Sequence, residues 1–361
     1  MLMTRTRAAT LEVDLSAIAA NTRLFADTAD AALMAVVKAD GFGHGLADVA
    51  RTALAHGATW CGVTSLEEAV AVRAAGVDAP VLSWLNPVDW DVETAAAHRV
   101  DVAVPSVRHL AATHADHPVR VHLHLDTGMA RDGAAPDEWP ALVAAARRAE
   151  ADGRIAVVGV MGHLPFADRP DPAGLAALLH GVDLAVRAGL RPSLRHLATT
   201  AAALTDPSTH LDLVRVGVGL VGVDPSGSTR LRPALRLTAP VVQVRRVPAG
   251  TGVGYGHAHV TDRATTLALL PLGYADGLPR AASGRGGVLL AGRRRPVVGV
   301  ISMDQVVVDL GDDPVEPGAE AVVFGPGDAG EPTVADWARW SGTIPHEIVT
   351  GIGPRVRRSV R

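Results

Sequence analysis

The sequence contains very little cysteine, tyrosine and lysine, and the first two shortages each exclude a class of function. Of its 361 residues, one is cysteine (Cys61), two are tyrosine, and the aromatic share is 3%. A single thiol excludes an intrachain disulfide and a metal cluster held by several thiolates, and it is typical of a reducing compartment. The scarcity of aromatic rings argues against a surface that stacks single-stranded nucleic acid.

A surplus of one charge sign and long apolar runs are also absent. The chain has 34 basic and 38 acidic residues, which gives a formal net charge of −4 at pH 7. This balance gives no reason to expect nucleic acid or an anionic membrane as a partner. Residues 1–7 lack the apolar region of a signal peptide, and no uncharged apolar run is long enough to span a membrane. We therefore expect a cytoplasmic protein.

The shortage of lysine is the most informative. Lys38 is the only lysine among the 34 basic residues, and all the others are arginine. The two residue types are equivalent on a solvated surface, but arginine stays protonated and cannot act as an amine nucleophile. A chain that uses arginine almost everywhere should keep lysine only where a guanidinium cannot do the chemistry of an amine. Taken alone, the count leaves chance survival as an equal alternative.

Short apolar runs separated by alanine-rich helical stretches fill the first two thirds of the chain. They predict strands at residues 35–37, 60–63, 81–84, 102–104, 119–125, 156–161, 196–198 and 213–216, with helices such as 65–75, 138–151 and 172–188. Eight strands with intervening helices predict an α/β fold of the (β/α)8 TIM-like barrel type. An open doubly wound sheet is the competing architecture, but it would usually carry a glycine-rich dinucleotide turn.

The pattern changes after about residue 225, where glycine, proline and aspartate turns separate short apolar runs and helix is scarce. Strands are predicted within residues 235–247, 265–270, 287–291, 297–303, 306–310 and 321–324. We predict three parts of the chain: an N-terminal segment of residues 1–10 that can pack on the C-terminal domain, a barrel over 11–228, and a β-rich domain over 229–361.

The environment of the single lysine points to chemistry. The segment Ala35-Val-Val-Lys-Ala-Asp-Gly-Phe-Gly-His-Gly45 puts Lys38 at the end of the first barrel strand. Active sites of barrel enzymes lie at the carboxyl ends of the strands. Apolar neighbours disfavour the charged form of the amine, which suits a group that condenses with an aldehyde. A surface lysine at a strand end is the alternative.

This segment resembles the lysine motif of alanine racemases, which depend on pyridoxal 5'-phosphate. The resemblance continues in order over nearly the whole chain, through Asp126-Thr-Gly-Met-Ala-Arg131, Met161-Gly-His-Leu-Pro-Phe-Ala-Asp168, His196-Leu-Ala-Thr-Thr200, Val214-Arg-Val-Gly217, Gly254-Tyr-Gly256, Gly273-Tyr-Ala-Asp-Gly277 and Ser302-Met-Asp-Gln305. It implies a barrel followed by a β-rich domain, racemisation of alanine, and a homodimer with shared active sites.

Racemisation removes the α-proton from one face of the substrate and returns a proton to the other, so two groups on opposite faces are needed. The resemblance identifies Lys38 as one base and Tyr255 of the partner subunit as the other. It also assigns cofactor contacts to His163, His196, Thr200, Arg215, Gly217 and Val218, and substrate contacts to Arg131, Met303, Asp304 and Tyr274. No spacing of histidine, cysteine and aspartate suggests a metal site, and we expect none.

Five positions depart from the family pattern. Phe42 and Pro354 stand where tyrosines are usual, near the cofactor phosphate and the entrance. His124 stands where many members carry a lysine that becomes carbamylated and holds the neighbour of Arg131. Thr199 replaces a common asparagine, and Val221 replaces a common tyrosine. Each lost hydroxyl bond to a charged group costs about 1.5–3 kcal/mol. These changes affect the expected cofactor affinity, turnover and substrate size.

Four alternatives are open at this point. The chain could be a racemase of broader or different amino-acid specificity, or a pyridoxal phosphate-binding homologue with little activity. Barrel-type amino-acid decarboxylases share the cofactor, but they use a cysteine of the second domain, whereas Cys61 lies in an early barrel strand. A non-catalytic single-barrel protein would lack the second domain altogether.

Overall fold

The computed structural model describes residues 9–113 and 117–361, which form two compact units. One unit is Ile18–Leu231, and the other combines Arg232–Arg361 with the N-terminal segment up to Ala17. The sequence-based boundaries at residues 10 and 228 remain predictions. The structure differs from them in grouping residues 11–17 with the C-terminal unit, and residues 1–8 of the predicted N-terminal segment lie outside the described part.

The first strand, β1 (Thr10–Val13), explains this grouping. It pairs antiparallel with a strand near residue 235 and parallel with the last strand of the chain, so that Thr10 lies opposite both Thr238 and Arg357. Its side chains alternate between half-buried and buried, with Leu11 and Val13 in the core. This alternation is typical of a strand with one buried face.

The larger unit is a nearly closed barrel, and the predicted fold class is confirmed. Its eight parallel strands are β2 (Ala32–Val36), β3 (Trp60–Val63), β4 (Val81–Ser83), β5 (Val100–Val104), β6 (Val119–His124), β7 (Ile155–Met161), β8 (Leu194–His196) and β9 (Leu213–Val216). They follow one another in the sheet, and β9 returns to pair with β2. Backbone bonds from Asp212 to Arg195 and from Arg215 to Ala198 join β9 to β8 and its following loop.

Helices accompany these strands as the sequence pattern predicts. They are α1 (Leu15–Thr28), α2 (Lys38–Gly43), α3 (Leu46–Ala55), α4 (Leu66–Ala74), α5 (Val92–Ala97), α6 (Val107–Ala111), α7 (Trp139–Ala151), α8 (Pro172–Arg187) and α9 (Thr200–Thr205). Of these, α2 is a left-handed turn rather than an α-helix. Side chains that cap the first turn fix where several of these helices begin. Asp171 precedes α8 and accepts a hydrogen bond from the amide of Gly174 at 3.1 Å, and Pro172 occupies the first turn, where proline is tolerated.

The C-terminal unit is mostly β, as expected. Its further strands are β10 (Leu235–Pro240), β11 (Gln243–Val247), β12 (Gly252–Val253), β13 (His259–Val260), β14 (Thr265–Leu270), β15 (Gly287–Leu290), β16 (Arg293–Val298), β17 (Val306–Gly311), β18 (Glu320–Phe324) and β19 (Arg357–Val360). Nine strands of this unit form one sheet in the order β11-β14-β17-β16-β15-β18-β10-β1-β19. Two helices that the sequence analysis did not predict, α10 (Val334–Ser341) and α11 (Pro345–Gly351), lie between β18 and β19.

Candidate functional site

The only lysine opens a left-handed turn of the backbone. Strand β2 ends at Val36, earlier than the predicted strand over 35–37, so Lys38 lies two residues beyond the strand. The next four residues, Ala39 to Phe42, all have φ between +51° and +61°. Three of them are not glycine, and each such residue is strained by about 1–2 kcal/mol. Strain of this kind is typical of functional sites.

A carboxylate in the first turn of helix α4 holds this left-handed turn. The backbone amide of Ala39 donates to Glu68 Oε1 at 2.7 Å, and Glu68 Oε2 accepts from the amide and the hydroxyl of Thr64 at 2.9 and 2.8 Å. The Ser65 hydroxyl caps the same helix α4. Glu68 therefore anchors the peptide that follows Lys38. Sequence reasoning missed this residue, because nothing in its spacing indicates a partner 29 positions away.

The ε-amino group of Lys38 is partly buried, with an aromatic ring and charged side chains in its surroundings. Its Nζ is 6.0 Å from the centroid of the Trp84 ring. Burial lowers the pKa of Lys38 below its ordinary value, and the positive charge of Arg131 lowers it further, while Glu68 opposes the shift. A larger fraction of the amine is therefore uncharged at neutral pH than in a solvent-exposed lysine.

His163 has the same cationic neighbours. Burial lowers its pKa to about 3, and the charges of Arg215, Arg131 and Lys38 contribute in the same direction. The ring is therefore neutral at physiological pH. Its backbone is fixed through Thr127, whose hydroxyl accepts from the His163 amide at 3.1 Å and donates to the His163 carbonyl at 2.8 Å. Three other predicted site residues, Lys38, Arg131 and Arg215, are therefore close enough to His163 to affect its charge.

Arg215 and His196 form the buried base of this region. Arg215, on β9, is 4% exposed, and burial lowers its pKa to about 10, which leaves it cationic at neutral pH. Its Nη1 donates to His196 Nδ1 at 2.9 Å, and its Nη2 donates to the carbonyls of Gly162 and Leu197 at 2.7 and 3.1 Å. Three bonds fix the guanidinium in one orientation.

The remaining predicted cofactor contacts, Thr200, Gly217 and Val218, lie at the start of helix α9 and just after strand β9. Thr200 begins helix α9, and its hydroxyl accepts from the backbone amide of Gly219 at 3.3 Å. Gly217 and Val218 follow strand β9 directly. A Cβ at Gly217 would lie 2.6 Å from the ring of Phe42, so no side chain fits there.

The departures from the family pattern are accommodated locally. Phe42 is buried against Gly217, with its para carbon in the contact. His124 is buried with Nδ1 3.4 Å from Asp132 Oδ2, and Asp132 adjoins Arg131 in sequence. Burial opposes ionisation of Asp132, but His124 and the amide of the next residue bring its pKa below the ordinary value. A histidine–aspartate pair therefore occupies the position of the expected lysine.

A second group of predicted residues assembles within the C-terminal unit. The turn of Tyr274–Asp276 is bonded to the segment after β16, with the amides of Tyr274 and Ala275 donating to the carbonyls of Ser302 and Met303 at 3.0 Å each. A Cβ at Gly273 would lie 2.3 Å from the Ser302 carbonyl oxygen, so this close approach requires glycine. Tyr274 and Met303 remain substantially exposed.

Arg355 completes this group. It donates to Asp304 Oδ1 at 2.8 Å through Nη2 and lies 3.2 Å from Asp276 Oδ1 through Nε. The neighbouring backbone is fixed as well, because the amide of Gly353 donates to the Asp276 carbonyl at 3.0 Å. Pro354, the departure noted above, therefore lies between two anchored residues. Arg355 was not predicted, since an arginine near the end of an arginine-rich chain carries no distinguishing signal.

Tyr255 is a highly exposed member of the predicted set. It begins a short 3-10 turn, Tyr255–His257, directly after β12, and its side chain is 76% exposed. Glycines with φ of +68° and +63° flank it at 254 and 256, where other residues would be strained. The flanking glycines therefore hold the phenol out from the surface of this chain.

Cys61 lies in strand β3 and is buried, and burial raises its pKa to about 12, so it is not a reactive thiolate. In the part of the chain that the structure describes, no three histidine, cysteine or acidic side chains are grouped as metal ligands. Over the same residues, none of the helices combines the length and apolar character needed to cross a membrane.

Comparison with known proteins gives consistent matches over both units. The family model for the alanine racemase N-terminal domain matches residues 13–225, and the model for the alanine racemase C-terminal domain matches residues 234–360. The alanine racemase of Thermobifida fusca is 48% identical over 359 residues, which are 96% of each chain.

Solved structures agree with this result. The alanine racemase of a D-cycloserine-producing Streptomyces lavendulae superposes with a TM-score of 0.95 at 44% identity, covering 98% of this chain and 97% of that one. The Bartonella henselae alanine racemase, solved with covalently bound pyridoxal phosphate, gives a TM-score of 0.89 at 28% identity, covering 98% of this chain and all of that one.

Proposed function

Because this chain belongs to the alanine racemase family, whose members are isomerases, we propose that it interconverts L- and D-alanine with pyridoxal 5'-phosphate as its cofactor. The observation that carries the proposal is the environment of the single lysine. Lys38 opens a strained turn, and burial together with the charge of Arg131 lowers the pKa of its amine. Membership also removes the decarboxylase and single-barrel alternatives, since both family domains are present.

The residues at the barrel site fit this cofactor. An aldehyde needs an amine that is partly uncharged, and burial of Lys38 provides one. A phosphate needs hydroxyl and backbone N–H donors. The Thr200 hydroxyl is bonded to the Gly219 amide, two residues after Gly217, and neither glycine has room for a side chain. We propose that Thr200, Gly217 and Val218 hold the phosphate.

When bound, the cofactor supplies the electron sink that makes the substrate α-proton acidic. The residues of this chain bind, orient and exchange protons. Lys38 Nζ takes or returns the proton on one face, and Tyr255 of the partner subunit does so on the other, in a homodimer with shared sites. Arg131 binds the substrate carboxylate, and Tyr274, Met303 and Asp304 complete the substrate site.

Arg215 is proposed to contact the pyridine nitrogen of the cofactor, with His163 and His196 beside it. Its pKa of about 10 means that it donates hydrogen bonds without giving up its proton at neutral pH. A donor of this kind stabilises developing charge on the ring less than a transferred proton would. We therefore expect little side reaction at the α-carbon.

The test of this function is a chiral assay of the cofactor-loaded protein. Incubation with L-alanine should produce D-alanine until the two enantiomers are equal, and the reverse reaction should reach the same mixture. Serine and larger amino acids are assayed in parallel, because Pro354 replaces an expected tyrosine. If only a larger amino acid were racemised, that amino acid and not alanine would be the substrate. If none were racemised, the protein would be a homologue that binds the cofactor without activity.

The proposed phosphate site has its own test at Phe42. Changing Phe42→Tyr adds a hydroxyl at the para carbon, which faces Gly217. A hydrogen bond to a charged group contributes about 1.5–3 kcal/mol, so the Kd for pyridoxal phosphate should fall at least about tenfold. Titration of the apoprotein measures it. Phe166→Tyr, which makes the same change on a 38% exposed ring, is the control and should leave the Kd unchanged. An unchanged Kd for Phe42→Tyr would place the phosphate elsewhere.

A further inference from the structure

A continuous line of hydrogen bonds runs from Arg215 through the barrel to Arg120. Arg215 Nη1 is 2.9 Å from His196 Nδ1, and His196 Nε2 is 2.8 Å from His122 Nδ1. His122 Nε2 is in turn 3.2 Å from Asp101 Oδ2, while Asp101 Oδ1 accepts from Arg120 Nε at 2.9 Å. Arg120 is exposed to solvent, whereas the other four members of the line are buried: Asp101, His122, His196 and Arg215.

The line of hydrogen bonds depends on Gly159, which leaves room for the His122 ring to pass across a strand. His122 is on β6 and His196 on β8, so the His122 ring must cross the intervening strand β7. A Cβ at Gly159 of β7 would lie 2.3 Å from His122 Nδ1, and the pairing of β6 with β7 shifts register between Val121 and His122. The two imidazole rings meet edge to face with their centroids 5.0 Å apart.

The chemistry of the end groups fixes every proton in the line. A guanidinium only donates, so His196 Nδ1 must accept and His196 must carry its proton on Nε2. That proton is donated to His122 Nδ1, which leaves the His122 proton on Nε2. His122 Nε2 then donates to Asp101, a carboxylate that only accepts. Both histidines are therefore neutral Nε2–H tautomers, and no alternative order satisfies all four contacts.

We propose that Asp101 and His122 are positioning residues that set the tautomer of His196 and thereby the orientation of Arg215. The proposal rests on the function given above only for the role of Arg215. Asp101 terminates the line with a buried acceptor, and Arg120 supports it from the surface. Without that acceptor, the proton order could reverse and place a donor on His196 opposite the donor on Arg215.

The electrostatics of the line agree with this order. His196 is fully enclosed, and its burial, together with the charge of Arg215, lowers its pKa well below the ordinary value. A neutral ring can accept from Arg215, whereas a protonated ring could not. The Arg215 guanidinium is thus held by one imidazole and two carbonyls, each with a defined acceptor atom.

The proton order is tested directly by nitrogen-15 NMR of the histidine rings in the apoprotein at neutral pH, which requires neither cofactor nor activity. We expect both His122 and His196 to show a protonated Nε2 and an unprotonated Nδ1. A His196 ring protonated at Nδ1, or at both nitrogens, would overturn the proposal. Because the measurement is made without substrate, its failure is distinct from a failure of the proposed racemase activity.

The positioning role is tested with Asp101→Asn. The Asn carbonyl oxygen is required by Arg120, so the amide nitrogen faces His122 and donates to it, which should move the protons of both histidines to Nδ1. Arg215 then meets a donor, and we expect kcat for racemisation to fall about 10- to 100-fold with little change in KM. Asp183→Asn removes an exposed aspartate–arginine pair on α8 and is the matched control. It should leave both the histidine nitrogen-15 signals and kcat unchanged.

A second variant covers the case in which Asp101→Asn fails to fold. Gly159→Ala introduces a Cβ that displaces the His122 ring and breaks its bond to His196. It should lower kcat in the same range and alter the His196 nitrogen-15 signals. Unchanged histidine tautomers together with unchanged kcat in whichever variant folds would overturn the positioning role.

Discussion

Lys38→Arg is expected to lower racemisation by at least about 10³-fold, because it removes both an amine nucleophile and a proton-transfer group. Arginine preserves the positive charge and much of the length of the side chain, but its guanidinium does not deprotonate near neutral pH. The loss should appear in kcat, measured by the chiral assay. A variant that retained more than a tenth of wild-type activity would show that Lys38 is not the reacting amine.

The uniqueness of Lys38 makes a covalent test unambiguous. Borohydride reduction of the cofactor-loaded protein, followed by peptide mapping, should find the pyridoxyl label on Lys38 and on no other side chain. Arg187→Lys adds a second lysine on a 74% exposed position and is the control. Its label should also be confined to Lys38, because only that amine is buried with a lowered pKa. Labelling of residue 187 alone would contradict the site.

Barrel strands were predictable because their apolar, valine-rich runs are short and are separated by alanine-rich stretches with helical spacing. Residues 60–63 and 213–216 match β3 and β9 at both ends. The first barrel strand, β2, was predicted too late in the chain, since its apolar run continues past Val36 to Val37. Nothing in the types of Ala39 and Asp40 indicates positive φ, which their surroundings impose.

The residues of the candidate site also fall into those that the sequence indicated and those that only the folded structure revealed. Resemblance supplied the residues that carry chemistry, but not the groups that hold them, such as Glu68, Arg355 and Asp101. Those groups act through contacts between distant parts of the chain, and charged residues of their types are common on any surface. Helix α10 is a different case, because Thr333 and Asp336 form a capping box that is readable in the sequence.

The second large effect is expected at Tyr255, whose substitution by phenylalanine removes only the hydroxyl. Loss of a general acid–base group should lower racemisation by about 10²- to 10⁴-fold. The cofactor should remain attached, since Lys38 is untouched. If each base serves one face, exchange of the α-hydrogen in heavy water should persist for one enantiomer of alanine and be strongly reduced for the other, as measured by mass spectrometry.

Tyr274→Phe is the matched control, because these are the only two tyrosines in the chain. Tyr274 is assigned to the substrate site and not to proton transfer, so its loss should change the exchange of both enantiomers to the same extent. Equal loss of exchange from both enantiomers in Tyr255→Phe would argue against two bases on opposite faces.

Sharing of the site between subunits is tested by mixing two inactive variants. In a dimer of one Lys38→Arg chain and one Tyr255→Phe chain, a shared arrangement leaves one site with both an intact lysine and an intact tyrosine. Random mixing in equal amounts makes half of the dimers mixed, so activity should recover to about a quarter of the wild-type value. If the tyrosine instead served the lysine of its own chain, both sites would lack one base and no activity would return.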